Sequence, residues 1–415
     1  MPILLEKNLT KFYYIVTKIY DKGVIVMNYP KRAEEIFDYV QGIRRQLHSW
    51  AEIGFDLPKT VALVDKELSE MGIPHYPVGK SGICAILGKG EKCVLLRADM
   101  DALPMKETTG LPFAATGEGT HSCGHDCHTA MLLGAAKLLK EDEDKLDGVV
   151  KLMFQPAEEL LQGAVDMIEN GILENPKPDV AFAAHVSVGQ PGTTVGRVTY
   201  SSGPALYSGD AVKIRVYGKN AHGAAAFMGV DAINIAAHIV VALNEIISRE
   251  IPLDEHSVVL VGKIAGGDSV NTTAGYAELD VSIRAQTEEK RNFLKQRVKE
   301  ISEGVSLTFR GKAEVDFVYG MAPLYCDPQT AADGHRYVES LGYEPVCVPC
   351  MGGTEDFTAV ANIIPSVMLN LGAGSLEEGH LCSMHNAGMI VNEDVLPTGV
   401  AIYCQCATQW LEENA

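Results

Sequence analysis

Side chains that bind transition metals are concentrated in one short stretch, residues 120–130. Three of the 12 histidines in this 415-residue chain fall within eight positions there, and cysteines and an aspartate lie between them. Imidazole and thiolate are ligands that zinc, and the ions from manganese to nickel, accept in proteins. The stretch therefore indicates a metal site, the alternative being a polar loop with free thiols. Its candidate ligands are His121, Cys123, His125, Asp126, Cys127 and His128.

More metal-binding side chains follow predicted strands elsewhere in the chain. Glu158 and Glu159 come shortly after the apolar run 149–154, and His185 ends another such run. Adjacent carboxylates must point in different directions, so one can bind a metal ion while the other serves a metal-activated water as general base. The alternative is a solvated helix start, where negative charge suits the helix dipole. Because the pair follows a buried strand and Pro156, we favour the catalytic interpretation.

Strands and helices alternate in the regions that carry these residues. Hydrophobic patterns predict strands at 92–97, 149–154 and 181–185, and helices at 32–48, 60–71 and 126–140. The alternation predicts an α/β fold with a mixed, mostly parallel sheet flanked by helices. Open α/β sheets place their sites outside the carboxyl ends of strands, so we expect the polar residues after these strands to meet in one site.

The pattern changes between residues 201 and 314, and a chain of this length is expected to form two domains. Strands at 211–217, 257–264 and 277–284 and helices at 231–248 and 287–303 predict a smaller α+β domain inserted into the first. We therefore expect a metal-binding catalytic domain from residues 27–200 and 315–415, and an inserted domain from residues 201–314. Residues 1–26 are interpreted as an N-terminal extension or as the product of a mis-assigned start, and they are too interrupted by charges for a signal-peptide core.

The composition argues against several classes of partner. A net charge of −19 disfavours nucleic acid and anionic membrane surfaces, because both need clustered lysine and arginine. No apolar run approaches the roughly 18 residues of a membrane span. Ten cysteines in a long chain, without a dense cysteine framework or a secretory signal, are expected to be free thiols. We therefore expect a cytoplasmic protein with no nucleic-acid or membrane partner.

An ordered set of motifs covering residues 44 to about 400 resembles one known family. The longest motifs are Leu96–Pro104, His121–His128 and Gln155–Glu159. Shorter matches are Arg44–His48, Gly218–His222, Gly266–Gly267 with Asn271, Gly353–Phe357 and His385. The set resembles the amidohydrolase branch of the aminoacylase/carboxypeptidase metallopeptidases, which includes hippurate hydrolases, indole-acetyl-amino-acid hydrolases and N-acetyl-diaminopimelate deacetylases.

The resemblance implies a metal centre with two divalent ions per subunit, of zinc, manganese, cobalt or nickel. Cys123 would bridge the ions, and the remaining ligands would be His125, Glu159, His185 and His385. Glu158 would be the general base that activates water and later protonates the leaving amine. Asp99 would orient a ligand, as carboxylates beside metal sites often do, or would be a strand-end turn residue.

The resemblance also implies a role for the inserted domain. It would be a lid that mediates formation of a homodimer or of a larger assembly. His222 would stabilise the tetrahedral oxyanion, in the active site of the partner subunit. Asn271 and Arg284 would help to hold the substrate carboxylate or the oxyanion.

Other polar residues near the motifs have weaker claims to the site. His48, His121 and His128 are candidate ligands, but a histidine on a helix is more often a core residue with satisfied hydrogen bonds. Cys127 is expected to face the helix core. Glu355 and Asp356 either line the site or cap the following helix.

The expected reaction is hydrolysis of an N-acyl amino acid to a carboxylic acid and a free amino acid. The alternatives are a dipeptidase, an N-carbamoyl amino acid hydrolase, and a non-catalytic metal- or ligand-binding protein, which the presence of Glu158 disfavours. The chain departs from the family pattern at Ala224–Met228, where a Pro-His pair is usual, and after Asn271. These departures fall in the inserted domain, so they leave the acyl group and the amino acid open.

Overall fold

The computed structural model describes residues 28–415, and the predicted N-terminal extension lies outside these residues. The α-helices are α1 (Tyr29–Glu35), α2 (Phe37–Trp50), α3 (Pro58–Glu70), α4 (His125–Glu141), α5 (Gly163–Glu169), α6 (Ala232–Glu245), α7 (Glu288–Thr308), α8 (Pro328–Ser340), α9 (Thr358–Ala361) and α10 (Leu396–Asn414). The strands are β1 (His75–Val78), β2 (Gly82–Gly88), β3 (Cys93–Asp99), β4 (Val149–Gln155), β5 (Val180–Ser187), β6 (Val198–Tyr200), β7 (Gly203–Leu206), β8 (Gly209–Tyr217), β9 (Ala221–His222), β10 (Ser257–Gly266), β11 (Thr272–Thr273), β12 (Tyr276–Ala285), β13 (Lys312–Met321), β14 (Leu324–Cys326), β15 (Pro345–Cys347) and β16 (Ser366–Gly372).

An eight-stranded mixed sheet forms the centre of the larger part of the molecule, in the order β1-β2-β4-β3-β5-β16-β6-β15. The neighbours β4, β3, β5 and β16 run parallel to one another. Antiparallel pairs lie towards the sides of the sheet. Every residue of β3 and β4 is buried, which explains why their sequences are mostly apolar and do not alternate with polar residues. The predicted α/β class, with a mixed and mostly parallel sheet, is confirmed.

Parallel pairing brings the polar ends of three strands to one edge of this sheet. Asp99 ends β3 in register with Gln155 at the end of β4. Arg97 lies opposite Ala183 of β5, two residues before His185. Helix α4 begins beside this edge, directly after Gly124. Gly124 has φ +86°, and a Cβ added there would lie 2.2 Å from a methyl group of Val186, so glycine is required.

Residues 209–321, here called the four-stranded unit, contain a second sheet in the antiparallel order β10-β12-β8-β13. Helices α6 and α7 pack on this sheet around a separate hydrophobic core. The predicted alternation of strands and helices in this region is confirmed. However, β13 continues to Met321, so the predicted boundary at residues 314–315 falls inside a strand. Phe317–Gly320 are exposed, which leaves no alternating burial to mark this half of the strand.

Two predictions for individual helices were inaccurate. The predicted helix 32–48 is two helices, because Ile36 leaves the helical conformation at φ −106° and ψ 14°. By length and composition, Ala232–Glu250 is apolar enough to cross a membrane, although we expected no such run. The part of this helix in α6 buries Ala232, Ile235, Ala236, Ile239 and Leu243 in the core of the four-stranded unit.

Candidate active site and metal centre

Cys123 lies between two groups of potential metal ligands. Its Sγ lies within 4.8 Å of one ring nitrogen of His125 and one of His185, and these two nitrogens also lie within 4.8 Å of each other. The same Sγ belongs to a second group, with a carboxylate oxygen of Glu159 and a ring nitrogen of His385. These three atoms also lie within 4.8 Å of one another. The structure thus brings all five predicted ligands together. Two groups that share one thiolate have the arrangement needed for two adjacent ions.

Backbone contacts fix the orientation of two of these histidines. His185 Nδ1 is 2.7 Å from the carbonyl oxygen of Val186, and its Nε2 is 3.6 Å from Cys123 Sγ. His385 donates its backbone N–H to the carbonyl of Ser122 over 2.7 Å, which fixes it beside Cys123. His385 also has φ +62°, an uncommon conformation for a residue with a side chain. The His185 imidazole is therefore held with Nε2 towards Cys123, and Nε2 of His385 lies 3.6 Å from Oε1 of Glu159.

The donor set fits divalent metal ions. Within residues 28–415, both ring nitrogens of His125 and Oε1 of Glu159 are buried without a hydrogen-bond partner. Each such atom costs about 1–3 kcal/mol if it stays unpaired. Burial raises the pKa of the Cys123 thiol, so its thiolate needs a cation beside it. Sulfur, imidazole and carboxylate donors in this proportion suit ions such as zinc and manganese.

Asp101 holds the turn that carries Glu158 and Glu159, and we did not identify it from the sequence. Its Oδ1 accepts a hydrogen bond from the backbone N–H of Glu158 at 3.0 Å, and its Oδ2 accepts one from Glu159 at 3.2 Å. Oδ1 also lies 3.4 Å from Nδ1 of His125. The backbone is left-handed on both sides of the pair, with φ +53° at Ala157 and +54° at Leu161. One carboxylate therefore constrains both glutamates and a ligand.

Arg97 is fully buried and joins the ends of three chain segments. Its guanidinium donates to Asp99 at 2.7 Å, to Glu355 at 2.7 Å and to Asp356 at 3.1 Å. Carboxylate oxygens of Glu355, Asp356 and Glu158 lie within 4.8 Å of one another. Burial, and then the charges of Glu355 and Asp356, raise the pKa of Glu158 well above its usual range. Glu355 also accepts from the N–H of Phe357 at 2.9 Å, so it both lines the site and caps the following turn.

Asp99 and His128 are the predicted residues whose side chains lie against the ligand His125 or its neighbours. Asp99 Oδ1 is 2.6 Å from His128 Nδ1, and Asp99 Oδ2 is 3.7 Å from His125 Nε2. His128 Nε2 accepts from the N–H of Val186 at 2.8 Å, so both of its nitrogens are satisfied. Cys127 is fully buried in the hydrophobic core. Asp99 thus lies where it can orient His125, and His128 is a core residue.

The predicted substrate-binding residues lie on the four-stranded unit. His222 is exposed and pairs with Thr272, and the N–H of Gly223 donates to the carbonyl of Asn271 at 2.7 Å. No hydrogen bond or ion pair joins His222 or Asn271 to the ligand cluster within residues 28–415. Arg284 donates to the hydroxyl of Thr354, next to Glu355. The structure therefore brings Arg284 to the active-site loop, whereas the hydrogen bonds of His222 and Asn271 are made within the four-stranded unit.

Residues 95–409 match the sequence profile of Peptidase family M20/M25/M40. The chain belongs to this family. N-acetyl-L-cysteine deacetylase from Bacillus subtilis (strain 168) is 41% identical over 380 residues, which cover 90% of this chain and 88% of the relative. IAA-amino acid hydrolase ILR1-like 4 from Arabidopsis thaliana is 34% identical over 395 residues, which cover 92% of this chain and 88% of the relative.

A solved structure of this family has the same fold. It is the crystal structure of the Bacillus subtilis YXEP protein, described as a dinuclear metal binding peptidase from the M20 family. The TM-score is 0.80 at 27% identity, and the match covers 91% of this chain and 99% of that one. The predicted family resemblance is confirmed, and this M20 protein is a metal-dependent amidohydrolase that binds divalent ions.

Replacing Asp101 with alanine should release the Glu158–Glu159 turn. We expect Asp101→Ala to lower amide hydrolysis or metal affinity by roughly 10- to 100-fold, as removal of a residue that supports a ligand typically does. Asp179→Ala is the matched control, because Asp179 also accepts a backbone N–H, from Cys93 at 2.9 Å, but at the opposite end of the sheet. Steady-state kinetics and bound-metal analysis of both variants test this role. Wild-type values in Asp101→Ala would contradict it.

Proposed function

We propose that this M20 enzyme hydrolyses the amide bond of N-acyl amino acids with two divalent ions per subunit. The observation that carries the proposal is Cys123 shared between two ligand groups, with the Glu158 carboxylate beside them. The names of two relatives support this substrate class. One is an N-acetyl-L-cysteine deacetylase, and the other is an IAA-amino acid hydrolase. The ions are zinc, manganese, cobalt or nickel, and their availability in the cell decides among them.

In the proposed mechanism, Glu158 moves the proton. Cys123, His125, Glu159, His185 and His385 would hold the divalent ions, which would supply polarisation of the substrate carbonyl and a lowered pKa of water. Glu158 accepts the proton of the attacking water and delivers it to the leaving nitrogen. His222 donates to the developing oxyanion, and Asn271 and Arg284 hold the substrate carboxylate.

We also propose that the four-stranded unit is a lid through which two subunits form a homodimer. Strand β10 is an edge of its sheet and exposes Val258 by 42% and Leu260 by 57%, and Val241 on neighbouring α6 is 71% exposed. A long apolar edge strand is a template for pairing with another chain. Pairing of two β10 strands would bury these side chains. It would also explain why His222 is exposed and separate from the ligands of its own chain.

A cytoplasmic location is part of the proposal. All ten cysteines of the chain are free, including the exposed Cys347. Free thiols persist in reducing compartments, whereas secreted proteins usually pair them. The free cysteines therefore support a reducing cytoplasm as the place where the enzyme works.

Replacing Glu158 with glutamine should stop proton transfer but keep the metal centre. We expect Glu158→Gln to lower turnover of an N-acetyl amino acid by roughly 10²- to 10⁴-fold, the usual contribution of a general base. Glu169→Gln is the control, because Glu169 is an exposed glutamate on α5. Turnover and metal content should be measured on the same preparations. Retained activity with two ions bound would show that Glu158 is not the base.

Mixing two inactive variants tests whether His222 serves the partner subunit. His222→Ala and Glu158→Gln should each be inactive as homodimers. Heterodimers formed after co-expression should regain activity, because one of their two active sites combines an intact Glu158 with the partner's intact His222. Failure to regain activity in confirmed heterodimers would place His222 in the active site of its own chain.

A substrate panel separates the N-acyl amino acids from the alternatives. The substrates are N-acetyl, N-benzoyl, long-chain N-acyl and N-carbamoyl amino acids and dipeptides, each tested with manganese, zinc, cobalt and nickel. We expect the highest kcat/KM on an N-acyl amino acid. A preference for dipeptides would favour the peptidase alternative, which the 32% identity to Thermostable carboxypeptidase 1 from Saccharolobus solfataricus also supports. No hydrolysis of any substrate would contradict the proposal.

A further inference from the structure

His48 is a buried histidine on α2 that bridges two buried carboxylates. Its Nδ1 is 2.8 Å from Asp126 Oδ2, and its Nε2 is 3.1 Å from Glu107 Oε1. The side chains of both carboxylates are fully buried, and that of His48 is 2% exposed. Burial lowers the pKa of His48, but the hydrogen bonds to Asp126 and Glu107 outweigh burial and raise the pKa to about 9. Only the protonated imidazole can donate to both carboxylates at once.

One side of this bridge leads to the first ligand group. Asp126 directly follows His125 in the first turn of α4, three residues after Cys123. Its Oδ2 also accepts from Nε of Arg44 at 2.8 Å. Arg44 and His48 are one turn apart on α2, so two side chains of this helix hold the same oxygen of Asp126 at the start of α4.

The other side of the bridge leads to the second ligand group. Glu107 lies in the segment between β3 and α4 and accepts from the backbone N–H of Ala115 at 2.7 Å. The next residue, Thr108, donates its backbone N–H to the carbonyl of Ala387 at 2.9 Å. Ala387 is two residues after His385. Hydrogen bonds thus run from Asp126 through His48 and Glu107 to the segment that carries His385.

The two sides of the bridge differ in what remains without His48. Asp126 would keep its ion pair with Arg44. Glu107 would keep its bonds to Thr109 and Ala115, but it would lose its only charged partner among residues 28–415. A buried carboxylate without a counter-charge is strongly unfavourable. The segment of Glu107 and Thr108 should therefore move, and the support of the His385 segment should weaken.

We propose that His48 is a positioning residue that fixes the His385 segment relative to the segment of Cys123 and His125. The inference rests on the proposed two-ion function. Replacing His48 should lower the affinity for the ion held by Glu159 and His385. It should leave the affinity for the ion held by His125 and His185 unchanged. The expected size is the 10- to 100-fold loss of metal affinity that follows removal of a residue supporting a ligand.

Titration of the metal-free enzyme with Co²⁺ tests this asymmetry. Absorption from the cobalt–thiolate contact at Cys123 and the cobalt d–d bands report each binding step, and elemental analysis gives the stoichiometry. His48→Gln removes the charged bridge, and Glu107→Gln removes the charge of its second arm while the contacts of Asp126 stay intact. His75→Gln is the control, because His75 makes a similar 3.1 Å contact with Asp65 away from the site.

The wild type and His75→Gln should bind two Co²⁺ per chain. In His48→Gln and Glu107→Gln, the first ion should bind with wild-type affinity and the second about 10- to 100-fold more weakly. Wild-type affinity for both ions in the two variants would overturn the inference. An equal loss of affinity for both ions would also overturn it. A wild type that binds fewer than two Co²⁺ would instead overturn the two-ion site itself.

Discussion

The burial of several carboxylates in one place is the constraint on which the rest of the site depends. Five of them have side chains that are almost fully buried, and a sixth, Glu159, is only slightly more exposed. The six are Asp99, Asp101, Glu158, Glu159, Glu355 and Asp356. Arg97 is fully buried and pairs with three of them. Burying the rest without positive charge would be unfavourable, so the arrangement favours binding of divalent ions.

The fold meets this constraint by bringing distant segments to one sheet edge. Strand β3 supplies Arg97 and Asp99, and the turn after β4 supplies both glutamates. Asp101 holds that turn through two backbone N–H groups, in a conformation that is strained on both sides. The strain is stored where the glutamates must point in different directions. Metal binding and local structure are therefore coupled in this enzyme.

The sequence carried enough information to predict the central strands and which potential metal ligands the fold brings together. The central strands are mostly apolar, and the potential ligands are side-chain types with few structural uses in short motifs. The roles of Arg97 and Asp101 were not predictable in this way, because they arise from long-range contacts. Arg97 and Glu355, for example, are separated by 258 positions in the chain. The bridge made by His48 joins residues 59 and 78 positions away, and it appears only once the chain is folded.

Diffraction from crystals loaded with manganese or zinc, measured with anomalous scattering, shows directly whether Cys123 is a ligand shared by two ions. We expect two anomalous peaks per chain, both at bonding distance from Cys123 Sγ. One peak should also contact His125 and His185, and the other Glu159 and His385. A single peak, or two peaks of which only one contacts Cys123, would show that this cysteine does not bridge two ions.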